Sequence, residues 1–433
     1  MRLAVVITGF LAACLTAASA APEESPSPLL EALDLQVNGF VDTRAGLRTQ
    51  NDPAEHDDSL GELRLQLDVQ RYFDKFTAEV RADFLYDWTG HNSHVDLERG
   101  EGWFDLREAH LLFSPQPWMD VKAGRQILTW GTGDLLFIND LFPKDWASFF
   151  IGRDEAYLKA PSDAVLVSLF PTWANIDLVY TPRFDPDRFI TGERISFWNP
   201  ATGNISGRDD VLQTDVPNDL FSDHEVAGRL SRNVNGYELA AYGYYGFWKS
   251  PAGMDPDTGD ATFPALSVYG ASARGQAAGG IANIEAGYYD SRDDHSGDDP
   301  TVRNSEARIL VGYQRELARN LNATVQYYLE HMMDHDDYEH ALPEGQHAAD
   351  EDRHVFTLRL TQLLLGQNLV LSFFTFYSPS DQDAYIRPVA TYKVSDDWMV
   401  TAGGNFFMGE NDDTFFGQFD QNNNLYAGAR YSF

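Results

Sequence analysis

Between residues 139 and 159 seven charged side chains of both signs lie close together: Asp140, Lys144, Asp145, Arg153, Asp154, Glu155 and Lys159. Trp146, Phe149, Phe150 and Tyr157 are interleaved with them. Rings that pack on a wall, with ions left facing water or a passing solute, are the chemistry of a charged constriction. The same set also suits a lid or rim loop braced by its own ion pairs. A second cluster, Asp334-His335-Asp336-Asp337-Tyr338-Glu339-His340, has donor atoms for a transition metal, with Glu344, His347, Asp350, Glu351 and Asp352 downstream. Its spacing matches no fixed ligand pattern, so solvated surface charge is the better account and no dedicated metal site is expected. Asp293, Asp294, Asp298 and Asp299 form another acidic group, and Asp255, Asp257 and Asp260 a third. Carboxylates at this density can hold Ca²⁺ or Mg²⁺, or raise the local cation concentration. The chain contains no G-x-S-x-G, H-E-x-x-H or phosphate-binding glycine loop and no convincing Ser/His/Asp set. It is therefore not expected to be an enzyme or to carry a cofactor.

These groups sit in an acidic but not disordered chain. Lys and Arg number 32 against 66 Asp and Glu, a net −34, which excludes a generic nucleic-acid binder. At 43% apolar and 13% aromatic residues it is too greasy for a solvated acidic coil. Residues 1–20 read as a secretory signal: Arg2, an apolar run from Leu3 to Thr16, then the small-residue site Ala18-Ser19-Ala20. Leu11-Ala12-Ala13-Cys14 is a competing lipobox-like site, at which Cys14 would be lipidated. Cleavage after Ala20 removes Cys14, the one cysteine of the chain, and with it any disulfide, thiolate site or C-x-x-C-H haem attachment. Residues 21–433 are expected to form a single domain.

Strands must position the charges. From Gly61 to Arg71, Leu63, Leu65, Leu67 and Val69 take one face, and Glu62, Arg64, Gln66, Asp68 and Gln70 the other. The same alternation runs through Phe76–Trp88 and Leu321–Glu330. Such length predicts a sheet with one apolar and one charged face. Eighteen strands are expected, near 34–49, 60–72, 76–88, 102–113, 118–131, 163–170, 174–182, 223–232, 236–248, 264–274, 280–290, 305–316, 321–332, 353–363, 368–378, 383–393, 397–408 and 424–433, with 16 open if one hairpin fails. Short turns alternate with long acidic joins, the arrangement of a transmembrane barrel rather than a soluble sandwich. No apolar run after residue 20 approaches the length of a membrane helix. A membrane chain lacking such runs must close its sheet, because lipid cannot satisfy an open edge. Leu425, Ala427, Ala429, Tyr431 and Phe433 share one face of the last strand, which would close against the first. The predicted fold is thus all-β, an antiparallel up-and-down transmembrane barrel.

Parity then turns Arg64, Arg81, Arg229, Arg308, Arg359, Arg387 and Arg430 to the lumen, among Glu62, Asp68, Glu79, Asp83, Glu225, Glu285 and Glu330. Rings of this kind select ions, or brace a wide wall as cross-strand pairs, and bracing is favoured for most individual residues. Parity is less clean near 104–113 and 119–131, which leaves Arg107 and Arg125 unassigned.

The segment Gly124-Arg125-Gln126-Ile127-Leu128-Thr129-Trp130-Gly131, followed by Gly133-Asp134, Asn139 to Asp145 and Ile151 to Glu155, resembles a stretch of porin-like outer-membrane barrel families. About 40 residues carry the likeness; the remainder shares only strand grammar. The resemblance implies a Gram-negative outer-membrane porin-like barrel whose third long loop folds into the lumen. The closing strand, ending on Phe433, resembles the signal read by the barrel-assembly machinery. Expected partners are outer-membrane lipid and lipopolysaccharide, small hydrophilic solutes or ions, and divalent cations at the acidic loops. A homotrimer and a periplasmic partner both stay open. The leading expectation is a channel with a cation-attracting mouth. The alternative is a sheath or docking barrel for a periplasmic protein such as a multihaem cytochrome.

Overall fold

The computed structural model describes residues 34–89, 94–200, 202–343 and 348–433. The signal segment 1–20 with Cys14, and also Glu344 and His347, lie outside the described residues. Eighteen antiparallel strands form one sheet. They are β1 Leu35–Arg48, β2 Asp58–Tyr72, β3 Phe76–Asp87, β4 Phe104–Gln116, β5 Met119–Ile127, β6 Pro161–Leu169, β7 Asn175–Thr181, β8 Glu225–Val234 and β9 Tyr237–Phe247. The second half comprises β10 Ala265–Ala277, β11 Gly280–Ser291, β12 Glu306–Ala318, β13 Leu321–Met332, β14 Asp352–Leu364, β15 Leu369–Ser378, β16 Asp383–Lys393, β17 Trp398–Gly409 and β18 Asn424–Ser432. Each strand pairs with its sequence neighbours. The sheet closes where β1 meets β18, in register from Phe40 opposite Ser432 to Arg48 opposite Asn424. Closure removes both edges, so every strand has a hydrogen-bonding neighbour on each side.

Alternation has the predicted sense. Val80, Val311 and Val325 stand exposed on the exterior, while Arg64, Asp83 and Glu285 are buried inside. Exposed aromatics gather at both ends of the strands. Tyr72, Phe73, Trp118, Trp173 and Phe433 ring the short-turn rim, and Tyr86, Trp88, Trp103, Tyr245 and Tyr269 lie toward the long-loop rim. Two aromatic girdles around an apolar band mark a surface that meets lipid between two interfaces.

The short turns carry their own chemistry. Asn235 and Gly236, joining β8 to β9, both have positive φ (54° and 86°). A two-residue hairpin of type I′ requires this, and Asn-Gly meets the requirement with least strain. The loops depart from strict alternation at one place, since β15 and β16 are joined by residues 379–382 alone. The neighbouring join, 410–423, covers this point instead: Phe416 packs on Phe376 and Tyr385 at ring separations of 5.2 and 5.6 Å.

A bulge explains the blurred parity in β4. Arg81 faces Glu108 and Ala82 faces Leu106, which leaves Arg107 as an extra residue. Asp105 and Arg107 itself are buried, and so are Glu108 and His110 beyond it. One inserted residue keeps charges inward on both sides of the phase change.

Buried apolar residues cluster inside the barrel, where the segment between β5 and β6 meets the inner wall. Ile138, Phe149, Phe150 and Leu158 of that segment contact a surface that includes Leu310, Phe374, Tyr385 and Phe407. The third long loop is therefore folded into the lumen.

Candidate functional site

The loop between β5 and β6, residues 128–160, is shaped by local capping. Helix α1, Trp146–Ile151, starts where the Asp145 carboxylate accepts the Ser148 amide, and ends at Gly152 in the left-handed region (φ 98°). A Cβ at Gly152 would sit 2.3 Å from the Tyr426 ring of β18, so glycine also permits the loop's close approach to the wall. Asp154 then caps a 3₁₀ turn over Glu155–Leu158 by accepting the Ala156 amide. These caps deliver Arg153, Asp154 and Glu155 in succession to the wall.

Anchors surround the loop. Glu285 of β11 accepts from the Thr132 amide at 2.7 Å, the Thr132 hydroxyl at 2.9 Å and the Asn139 amide at 2.8 Å. Arg359 of β14 pairs with Asp134 at 2.6 Å and Glu155 at 3.1 Å, and Arg387 of β16 with Glu155 at 3.0 Å. Arg430 of β18 reaches Asp154 at 3.1 Å, and Arg44 of β1 donates to the Gly152 carbonyl at 2.9 Å. Arg153 pairs with Glu62 of β2 at 2.9 Å. Tyr157 donates to Asp83 of β3 at 2.7 Å while the Arg64 guanidinium lies 4.1 Å from its ring centre. Phe149 and Phe150 meet Tyr385 at 5.9 and 5.5 Å, and Phe150 meets Phe407 edge-on at 5.1 Å. One part of the lumen is thus closed by rings, and another is crossed by ion pairs from loop to wall.

The seven charged loop residues divide by environment. Asp140, Lys144 and Asp145 are at most 5% exposed. Lys144 pairs with Asp140 at 3.1 Å and caps the Phe142 carbonyl at 2.6 Å; Asp145 pairs with Arg188 at 3.4 Å. The expectation that these three present charge to the channel gives way to burial, in which Asp140 and Lys144 neutralise each other and Asp145 is matched by Arg188 of the loop between β7 and β8. Asp154 and Glu155 keep part of their surface open beside the wall arginines, with side-chain exposures of 30% and 41%. Lys159 is half-buried and donates to Thr129 at 2.6 Å. Trp146 packs on the rings of Phe137 and Phe150 of its own loop.

On the wall, Arg64 joins Asp83 and Glu62. Arg81 joins Asp68 at 2.8 Å, Glu79 at 3.1 Å and Glu108 at 2.8 Å. Arg229 pairs with Glu238 and lies 3.8 Å from Asp177; Arg308 reaches Glu330 at 3.4 Å. Most of these pairs cross between neighbouring strands, as braces do. Sequence parity missed Arg44 and Asp42, which pair at 2.8 Å and lie beside Arg430, although they stand at alternate positions of β1. It also left Arg107, which donates to the Lys159 carbonyl, and Arg125, which pairs with Asp163 at 2.8 Å, without a side.

A further missed element is the loop between β7 and β8, residues 182–224. Arg188 binds Asp105 through two oxygens at 2.8 and 2.9 Å and reaches the Leu97 carbonyl at 3.0 Å. Ser196 donates to Asp52 of the first loop at 2.6 Å and accepts from Asn422 of the last at 2.9 Å. This loop spans the mouth above α1 and shares with the second and third loops a cavity of about 300 Å³, lined by Glu101, Asp145, Asp187, Arg188, Glu193 and Arg194 among others. Burial lowers Arg194 to about 10. Burial, and then the Glu193 carboxylate, push Glu101 up to about 7 against the pull of Arg99. Burial likewise lifts Glu55, which accepts the Arg208 amide, to about 7. From the ordinary glutamate value up to about 7 the closed loops hold protons that an opened chain has released, so closure weakens as pH rises across that window and levels off above it. Proteolysis within 182–224 is therefore expected to be slower at pH 5 than at pH 8. Combining Glu55→Gln with Glu101→Gln should reduce the pH response to the share carried by Asp185 and Asp187, whose carboxyls burial also raises; an equal pH response in that variant would refute the assignment.

The other acidic loops use many carboxylates to order themselves. Asp294 accepts the amides of Ser296, Gly297 and Asp299, and Asp255 those of Asp257 and Thr258. Asp334–His340 enters an exposed helix, α2 His335–Ala341, on which His335, Asp336 and Glu339 bring ligand atoms within 4.8 Å of one another.

No protein-family model and no curated protein sequence matches the chain. Solved structures do. Acinetobacter baumannii OccAB4 aligns with a TM-score of 0.57 at 9% identity, over 92% of this chain and 98% of that one. Acinetobacter baumannii OccAB1 aligns at 0.55 and 10% identity over 92% and 96%, and Pseudomonas aeruginosa OccD3 (OpdP) at 0.54 and 10% over 92% and 91%. With its sealed sheet, lipid-facing girdles and inward third loop, the chain has the fold of the porin-like outer-membrane barrels of Gram-negative bacteria.

Proposed function

We propose that the protein is a channel, not an enzyme, that passes small hydrophilic solutes or ions across the outer membrane, with acidic mouth loops that raise the cation concentration at its entrance. The observation that carries this reading is the third loop, held inside the lumen by Glu155 and Asp154 against Arg359, Arg387 and Arg430. These pairs are in direct contact at about 3 Å, yet Glu155 and Asp154 keep 41% and 30% of their side-chain surface open, so the charged seam can act on ions and polar solutes beside it through a local field. Arg153, Asp154, Glu155 and Lys159 are proposed as the loop side of the constriction, with the three arginines opposite. Asp140, Lys144 and Asp145 hold the loop's shape. A sheath for a periplasmic protein is disfavoured, because the chain's own loop already spans the space that such a partner would need. The remaining partners of this reading are lipid and lipopolysaccharide at the outer surface, divalent cations at the acidic loops and the assembly machinery at the strand ending in Phe433.

Purified protein in planar bilayers is expected to give ohmic conductance steps. Glu155→Gln, which leaves Arg359 and Arg387 without their shared carboxylate, should move the reversal potential in a KCl gradient toward anions. A folded barrel that never conducts would overturn the channel reading, and an unchanged reversal potential would remove Glu155 from the constriction.

A further inference from the structure

At the long-loop rim, Glu98 of the second loop, Asp163 of β6 and Asp185 of the fourth loop bring one carboxylate oxygen each within 4.8 Å of one another. Asp185 is 2% exposed. One of its oxygens accepts the Asp163 amide at 2.8 Å; the other, Oδ1, is buried with no hydrogen-bond partner. A buried anionic oxygen without a donor is expensive unless a proton or a cation reaches it. The protein's own cations at this point serve the other two carboxylates or the backbone and leave Oδ1 of Asp185 without a donor. Arg183 pairs with Glu98 at 2.9 Å and Arg125 with Asp163 at 2.8 Å, while Lys249 pairs with Glu225 and donates to the Asp185 carbonyl rather than its carboxylate. Burial, followed by the like charges of Glu98 and Glu225, holds the Asp185 carboxyl well above the usual range.

We propose that Glu98, Asp163 and Asp185 bind one hard divalent cation, Ca²⁺, that clamps the second and fourth loops to the barrel rim. The donor set is all oxygen, with neither imidazole nor thiolate, which favours Ca²⁺ or Mg²⁺ over zinc or copper. Ca²⁺ is preferred of the two because it tolerates irregular carboxylate geometry with water completing the shell, whereas Mg²⁺ demands a near-ideal octahedron. The three ligands come from two separate loops and a wall strand, so an ion there ties together chain segments that have no backbone continuity. The cavity beneath the fourth loop is bordered by Glu98 and Arg183, which places the clamp at the edge of the mouth.

The test uses the full-length, folded barrel in detergent, stripped with EDTA and titrated with Ca²⁺ alone by calorimetry, beside Asp185→Asn. The variant is expected to bind one Ca²⁺ fewer per chain, so ions held by the other acidic loops cancel in the difference. In the native chain, cleavage within residues 182–224 is expected to be about two- to tenfold slower in 1 mM Ca²⁺ than in EDTA, in keeping with the affinities of sites exposed to external fluid. Asp185→Asn should lose that protection. Glu98→Gln, at a partly exposed side chain, provides the same comparison should Asp185→Asn fail to show the heat-dependent gel shift of a folded barrel. Equal Ca²⁺ uptake by native and variant chains, or protection indifferent to Ca²⁺, would overturn the proposal. Conductance is a separate readout, so a conducting barrel without this ion would leave the channel reading standing.

Discussion

Arg64→Ala is expected to lower the unfolding free energy of the barrel by about 3–5 kcal/mol, the cost of stripping the partner from a buried charge. Arg64 is 2% exposed and joins Asp83 of β3 to Glu62 of its own strand. Its guanidinium also lies against the ring of Tyr157, whose hydroxyl donates to the same Asp83. Removal leaves Asp83 with the Tyr157 and Gln66 donors but no cation, while Glu62 keeps Arg153. The loss is therefore local to the seam between β2, β3 and the inward loop. Arg64→Lys should recover only part of it, because an ammonium lacks the planar fork that serves two carboxylates at once. Equilibrium denaturation of the barrel in lipid vesicles reads both variants. A loss below about 1 kcal/mol for Arg64→Ala would mean that water enters this seam and the pair behaves as a surface one.

Val311→Arg tests the other face. Val311 lies midway along β12 and is 48% exposed on the exterior. If that exterior meets acyl chains, arginine at this depth should cost about 2–4 kcal/mol, whereas the same change near either girdle should cost about 0–1 kcal/mol. Were the exterior bathed in water, an exposed Val→Arg change would stay within about 0.5 kcal/mol. The contrast between the middle of the strand and its end, measured in one bilayer, is diagnostic. A flat profile along β12 would contradict a spanning barrel.

Much of this architecture is legible in the chain itself. Period-2 alternation in β2, β3 and β13 needs only that each side chain choose lipid or lumen, and a side chain's parity along a strand is local information. Turn residues such as Asn235-Gly236 mark hairpins for the same reason, since the required backbone angles belong to those two residues. All 18 strands, and the side of Arg64, Arg81, Arg308 and Glu285, follow from such local choices.

Where the signal failed, distant contacts set the outcome. β15 is found where expected, but it reads apolar on both faces because Phe374 and Phe376 turn inward toward the rings of the loops, so its period does not announce which face is which. The bulge at Arg107 is visible only once β3 is laid beside β4. Composition shows that the third loop is rich in both charge and rings, yet not that Asp140 and Lys144 pair in its packed interior, that Asp145 meets Arg188 of the fourth loop, or that Asp154 and Glu155 meet arginines more than 200 residues away. Nor does it show that residues 182–224 cross the mouth. Facing and turning are decided by neighbours in the chain, and so the sequence alone determined the closed, lipid-facing barrel. Which charges are cancelled and which stay open depends on segments far apart in the chain but close in space, and only the tertiary structure decided that.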